Sequence, residues 1–139
     1  MIILDTNVIS EIQKSTPDKQ VIKWLNTYGV LDLCTTVISH AEIWYGLERM
    51  PDSNHKTSLK ERYEAFFFVA LANRVLPFNA QASFHYSNIR SVRERSGRPI
   101  DFGDAQIAAI AHSLDAPLAT RNIKDFEGTG IHVINPWDW

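Results

Sequence analysis

A chain of 139 residues, 45% of them hydrophobic, is one domain's worth of sequence with apolar side chains enough for a core, which argues against a disordered or low-complexity protein. The single cysteine, Cys34, excludes an intramolecular disulfide and a multi-cysteine zinc site, and points to a reducing, cytoplasmic setting. A formal net charge of −2 excludes a uniformly basic nucleic-acid binder, and no apolar run is long enough for a signal peptide or a membrane span, so a soluble protein is expected.

Ile2-Ile3-Leu4 reads as a strand buried on both faces, ending abruptly on the polar step Asp5-Thr6-Asn7. Val8 to Ile12 reads as a short helix, and Pro17-Asp18 opens a second, with Val21, Ile22, Trp24 and Leu25 on its apolar face. Leu33 to Val37 is apolar and β-branched enough for a buried strand. Ser39 is the expected N-cap of a helix from Ala41 to about Met50, which Pro51 stops. A long helix is expected from Leu59 to Asn73. It carries Phe66-Phe67-Phe68, and three consecutive aromatics cannot all face inward on one helix. Arg74 to Phe78 reads as a strand or connector, then Ala80 to Ser96 and Phe102 to Leu114 as helices separated by the breaker Gly97-Arg98-Pro99. Strands at 117–120 and 131–134 close the chain. With no repeat and no linker, the alternation of strands and helices predicts a single α/β domain over residues 1–139, with a small, mostly parallel sheet of four or five strands flanked by helices.

Acidic residues recur at strand ends and helix starts. Asp5 follows the first strand, Glu42 is expected in the first turn of its helix, Asp101 and Asp104 bracket the start of the Ala-rich helix, and Asn122 and Asp125 follow the strand at 117–120. Each taken alone is a cap. Gathered at the carboxyl edge of one parallel sheet, they would repel one another unless a cation lay among them, and an all-oxygen set suits Mg²⁺ or Mn²⁺ over zinc. Such ions serve phosphoryl chemistry. The five histidines show no metal-ligand spacing, and there is no Gly-rich phosphate loop.

Taken in order, Leu4-Asp5-Thr6-Asn7, Ala41-Glu42-Ile43 with Gly46, Asp104-Ala105-Gln106-Ile107-Ala108-Ala109, and Leu118-Ala119-Thr120-Arg121-Asn122 with Asp125-Phe126 resemble the four motifs of PIN domains. Ile134-Asn135-Pro136-Trp137 resembles the ending of VapC-type toxins of bacterial toxin–antitoxin pairs. The likeness spans the whole chain. It implies a Mg²⁺-dependent endoribonuclease that acts as a toxin, forms a homodimer and is held inactive by a cognate antitoxin. It also implies that Asp5, Glu42 and Asp104 are the acidic triad, with Asp5 and Asp104 as metal ligands. The fourth motif departs from the family: Asn122 stands where many PIN domains have an acid, with Asp125 three residues on. Asp101 is extra to the triad, as an outer acid or a helix cap. Arg90, Arg93, Arg95 and Arg98 fall within nine residues, leading into the acidic helix start, and Arg121 follows the fourth strand. Arg93, Arg98 and Arg121 are the candidate RNA contacts, with Lys14 behind them; the alternative is a solvated helix face. The exposed member of the phenylalanine triplet is a candidate for a dimer or antitoxin surface.

Two rival readings remain. A haloacid-dehalogenase-like phosphatase would use Asp5 as nucleophile and requires an acid two residues on, where this chain has Asn7. A non-catalytic interaction module would use the acids only to hold a structural cation.

Overall fold

The computed structural model describes residues 1–139. Strand β1, Ile2–Leu4, is three residues whose side chains alternate between two buried faces: Ile3 joins one apolar cluster, Ile2 and Leu4 the other. Burying each such side chain contributes about 1.5–3 kcal/mol, so even this short strand is a strong anchor. The chain turns on Asp5 into α1, Thr6–Ile12, and then α2, Lys19–Leu25, which Asp18 caps by accepting from the Gln20 and Val21 amides. There follow β2, Leu33–Thr36; α3, Val37–Glu48; α4, Asn54–Ala65; β3, Val75–Leu76; α5, Ala80–Arg95; α6, Phe102–Ser113; β4, Leu118–Ala119; and β5, Val133–Ile134.

The five strands pair in parallel throughout, in the order β3-β2-β1-β4-β5, with Ile2 opposite Leu33 and Ile3 opposite Leu118. From β1 the chain first builds the sheet to one side through β2 and β3, then to the other through β4 and β5. The crevice between β1 and β4 is therefore the topological switch point, where open α/β sheets bind their ligands beyond the strands' carboxyl ends. One face is covered by α5 and α6. The buried Ala105, Ala108, Ala109 and Ala111 let these two helices approach closely around Ile107 and Ile110. The other face is covered by α1 to α4 around Trp24, Phe67 and Leu71. Cys34 is buried in β2, where desolvation pushes its thiol up to about 11 and leaves it unreactive at neutral pH. The last residues belong to the fold: Trp137 packs on the second cluster, and Gln20 on α2 donates to the Trp139 carbonyl.

Two expectations are corrected. Helix α3 begins at Val37, not Ala41, because the Thr36 hydroxyl rather than Ser39 caps it, accepting from the Ser39 amide at 3.1 Å. Glu42 consequently lies in the second turn of α3, not the first. The long helix expected from Leu59 starts earlier, at Asn54, and does not run on to Asn73. Beyond Ala65 it widens into a π-turn over Phe66–Ala70, closed by the Leu71 amide on the Phe66 carbonyl at 2.8 Å. The widened turn buries Phe67 at 1% exposure and leaves Phe68 65% exposed.

Candidate active site

Asp5 leaves β1 at the switch point and caps α1, its Oδ1 accepting from the Thr6 amide at 2.8 Å. Its second oxygen, Oδ2, accepts from the Thr120 hydroxyl at 2.8 Å and from the Asn7 side-chain amide at 3.3 Å. Thr120 follows β4, so this contact bridges the crevice. Asn7 reinforces the bridge by donating to Thr120 Oγ1 at 3.0 Å and accepting from the Arg121 amide at 3.0 Å. Glu42 reaches the same place from α3, its Oε2 accepting from the Thr6 hydroxyl at 2.6 Å. Gly103 in the first turn of α6 completes the junction. A Cβ there would stand 3.3 Å from Glu42 Oε1 and 3.5 Å from Asp101 Oδ2, a close fit to which the Glu42 carboxylate would have to yield by a few tenths of an ångström.

The electrostatics follow from this convergence. Asp104 is half-buried, and its pKa is pushed up to about 7, first by burial and then by the charges of Asp5, Asp125, Asp101 and Glu42; no hydrogen bond relieves it. Burial also raises Asp5, although Thr120 and Thr6 offset part of the effect. Asp101 caps α6, its Oδ2 accepting from the Gly103 amide at 3.2 Å. Asp125 lies on the exposed 3-10 turn Ile123–Phe126, and the Asn122 amide is held by Thr120 Oγ1 at 3.1 Å. All the sequence-predicted acids thus bear on one crevice. No three of them close on a single point as a ready-made ligand cage. A hard divalent ion requires none, since Mg²⁺ keeps several waters and is held through one or two carboxylates. The all-oxygen donors and the unrelieved repulsion fit such an ion.

The arginines divide. Arg93 is buried, 6% exposed, and donates through Nε to the Arg98 carbonyl at 2.6 Å and through Nη1 to the Asp125 and Glu127 carbonyls at 2.8 and 2.9 Å. It binds protein main chain, which corrects the expectation that it faces RNA. Arg98 is half-exposed and pairs with Glu127 at 2.7 Å. Arg121 is exposed and carries no acidic partner; its guanidinium lies 5.1 Å from the Trp137 ring centre, a cation–π contact that fixes it beside the crevice. Lys14 is paired with Glu11 at 3.1 Å. A hollow of about 560 Å³ between α1 and α4, lined in part by Lys14, Arg62 and Tyr63, contains none of the acids.

Sequence reasoning missed the supports: Thr120, Asn7, Thr6 and Gly103. The polar Asp-Thr-Asn step was the available signal for two of them, because three polar residues in succession after a buried strand can each point at the same edge. Asn7 donates to Asp5, where a phosphatase of the haloacid-dehalogenase type requires an acid, and that rival reading loses its general acid.

The chain matches the family model described as PIN domain over residues 2–130. It is 40% identical over 138 residues to a protein named VapC ribonuclease Y4jK of Sinorhizobium fredii, covering 99% of both chains. It is 35% identical to Toxin FitB of Neisseria gonorrhoeae, again over 99% of both. The crystal structure of FitAcB from Neisseria gonorrhoeae superposes with a TM-score of 0.93 at 34% identity, covering 100% of both chains, and DNA-bound VapBC from Salmonella typhimurium with 0.82 at 28%, covering 97% of both.

Proposed function

This chain belongs to the PIN-domain family, among the VapC-type ribonuclease toxins, and from that premise we propose that it hydrolyses RNA at the β1/β4 crevice, with Asp5, Glu42 and Asp104 as its working carboxylates. The observation that carries the reading is the bridge at the switch point. Asp5 is held across the crevice by Thr120, while Glu42 is drawn to the same edge through Thr6. Nothing else in the molecule gathers acids in this way.

Asp5 and Asp104 would hold a Mg²⁺ ion, or Mn²⁺ in its place, with Asn122, Asp125 and Asp101 around it. A bound ion of this kind neutralises the phosphate and makes water a competent nucleophile at neutral pH. Thr6 occupies Glu42 Oε2, which leaves Oε1 to take a proton from the attacking water. In the hydrolysis, the water oxygen bonds to phosphorus, one P–O ester bond breaks, and the leaving oxygen is protonated from solvent. Thr120 and Asn7 keep Asp5 from rotating away. Arg121 and Arg98 supply phosphate contacts beside the acids.

The same reading makes the chain the toxin of a toxin–antitoxin pair, restrained by a cognate antitoxin, working as a homodimer in the cytoplasm. Support for the pairing comes from relatives solved as the two-component FitAcB and VapBC. No helix is long and apolar enough to cross a membrane. Residues 1–139 act as one nuclease domain, since β5 and the closing Trp137 pack into the same core. Incubating the purified chain with RNA in Mg²⁺, in chelator, and in chelator followed by excess Mg²⁺ tests the reading. Cleavage, its loss and its return are expected. Cleavage that persists in chelator would remove the ion, and intact RNA under every condition would remove the nuclease.

A further inference from the structure

The acid crevice has an aromatic rim that the reading above leaves unused. Phe102 is the first residue of α6, between the capping Asp101 and Asp104, yet it is 61% exposed. A phenyl ring left in water beside carboxylates forgoes the burial that stabilises the molecule elsewhere. The ring is braced, not loose. Tyr86 on α5 meets it edge to face, with centroids 5.7 Å apart and planes at 72°. Tyr86 is braced in turn by Phe78 at 5.8 Å and by Arg90, whose Nη1 donates to the Tyr86 hydroxyl at 3.0 Å and whose guanidinium lies 5.8 Å from the ring centre. Outward from the acids, the surface therefore reads exposed ring, supporting ring, cation.

That succession is how proteins track single-stranded nucleic acid, with bases stacked on aromatic faces and phosphates on nearby cations. We propose that Phe102 is the base-stacking residue of the RNA site: a nucleobase adjoining the cleaved phosphate lies on its exposed ring, and Arg90 takes a phosphate further along the strand. The proposal rests on the ribonuclease reading and adds to it the residue that seats the base, which must be unpaired because a base inside a duplex has no free face to offer. Arg90 is already paired with Glu94 at 3.1 Å, but both side chains are well exposed and such pairs hold weakly, so the guanidinium is free to exchange partners. Stacking is tolerant of base identity, so Phe102 sets strandedness and affinity and not sequence.

The test uses the full-length chain and a single-stranded RNA whose wild-type cleavage position has been mapped. A second RNA carries an abasic nucleotide beside that bond. Phe102→Ala should raise KM roughly ten-fold or more with kcat little changed, Phe102→Trp should restore the wild-type value, and Phe102→Leu should not, since it keeps apolar bulk without a ring face. On the abasic RNA the wild type should fall to the level of Phe102→Ala, and the substitution should then add nothing. Unchanged KM in Phe102→Ala, or a full penalty for the substitution on abasic RNA, overturns the proposal. So does conversion of Phe102→Ala to a monomer by light scattering where the wild type is a dimer, which would make the ring an interface between copies. A wild type that cuts no RNA fails at the first step and overturns the ribonuclease reading itself.

Discussion

At the scale of single residues, the character of the crevice is set by the mutual repulsion of its carboxylates, and Asp104 registers it. Its pKa is raised from 3.8 to about 7, so the folded chain holds the proton more tightly than the unfolded chain does. Below about pH 4 both states carry the proton and Asp104 costs nothing. Between about pH 4 and 7 the unfolded chain ionises first, so native stability is lost over that window and the penalty is constant above it. Asp104 is half-exposed, so solvent screening reduces the size of the effect but not its sign. Asp104→Asn, neutral at every pH, should therefore melt no lower than the wild type at pH 4 and higher at pH 8. Saturating Mg²⁺ should narrow the gap at pH 8. Equal melting temperatures of the two proteins at pH 8 would show that the carboxylates do not repel as placed. Gly103→Ala belongs to the same scale. Its Cβ would meet Glu42 Oε1 at 3.3 Å and displace that flexible carboxylate by only a few tenths of an ångström, so RNA cleavage should fall by roughly a few-fold while the melting temperature moves little.

Among the elements, legibility in the sequence divides according to the distance over which a residue is determined. The strand character of Ile2–Leu4 is local, and so is the cap at Asp5. The start of α3 is local too, but ambiguous: Thr36, Val37, Ile38 and Ser39 combine β-branched and hydroxyl side chains that suit a strand end or a helix cap equally well, and the structure chose Thr36. Arg93 was not legible at all. Its place among four arginines within nine residues grouped it with Arg90, Arg95 and Arg98, but its partners are carbonyls up to 34 residues away that fold back onto α5 only in the tertiary structure. The two arginines should separate on substitution. Arg93→Ala removes a buried guanidinium together with its three part-buried hydrogen bonds to main-chain carbonyls and should cost about 3 kcal/mol in chemical denaturation, whatever the ligand. Arg98→Ala should change stability by less than about 1 kcal/mol, because its pair with Glu127 is half-exposed, yet weaken RNA binding and flatten its salt dependence. The opposite pattern, a stable Arg93 variant with weakened RNA binding, would return Arg93 to the substrate surface.

Across the whole molecule, the fold explains why so few residues suffice. Five short parallel strands in the order β3-β2-β1-β4-β5 put a switch point at β1, and each strand's carboxyl end delivers its next polar residue to one edge. The acids were legible because Asp5 follows β1 and Asp101, Asp104 and Asp125 stand at the starts of helical turns, Glu42 alone lying one turn further in. The support from Thr120 was not, because it reaches Asp5 across 115 positions of sequence. An ion-dependent ribonucleolytic site at this edge must show in the cleavage rate of Asp5→Asn against the wild type on one RNA at saturating Mg²⁺. Asparagine keeps the cap of α1 through Oδ1 but turns an NH2 donor toward the Thr120 hydroxyl and the Asn7 amide, so the variant should fold with a modestly lower melting temperature, the relief of a buried charge offsetting part of the two lost hydrogen bonds. Removing even a supporting group of a metal site costs 10- to 100-fold, so loss of the carboxylate itself should lower the rate by more than about a hundred-fold. A folded Asp5→Asn that cleaves RNA within a few-fold of the wild-type rate would mean that the Asp5 carboxylate holds no working ion.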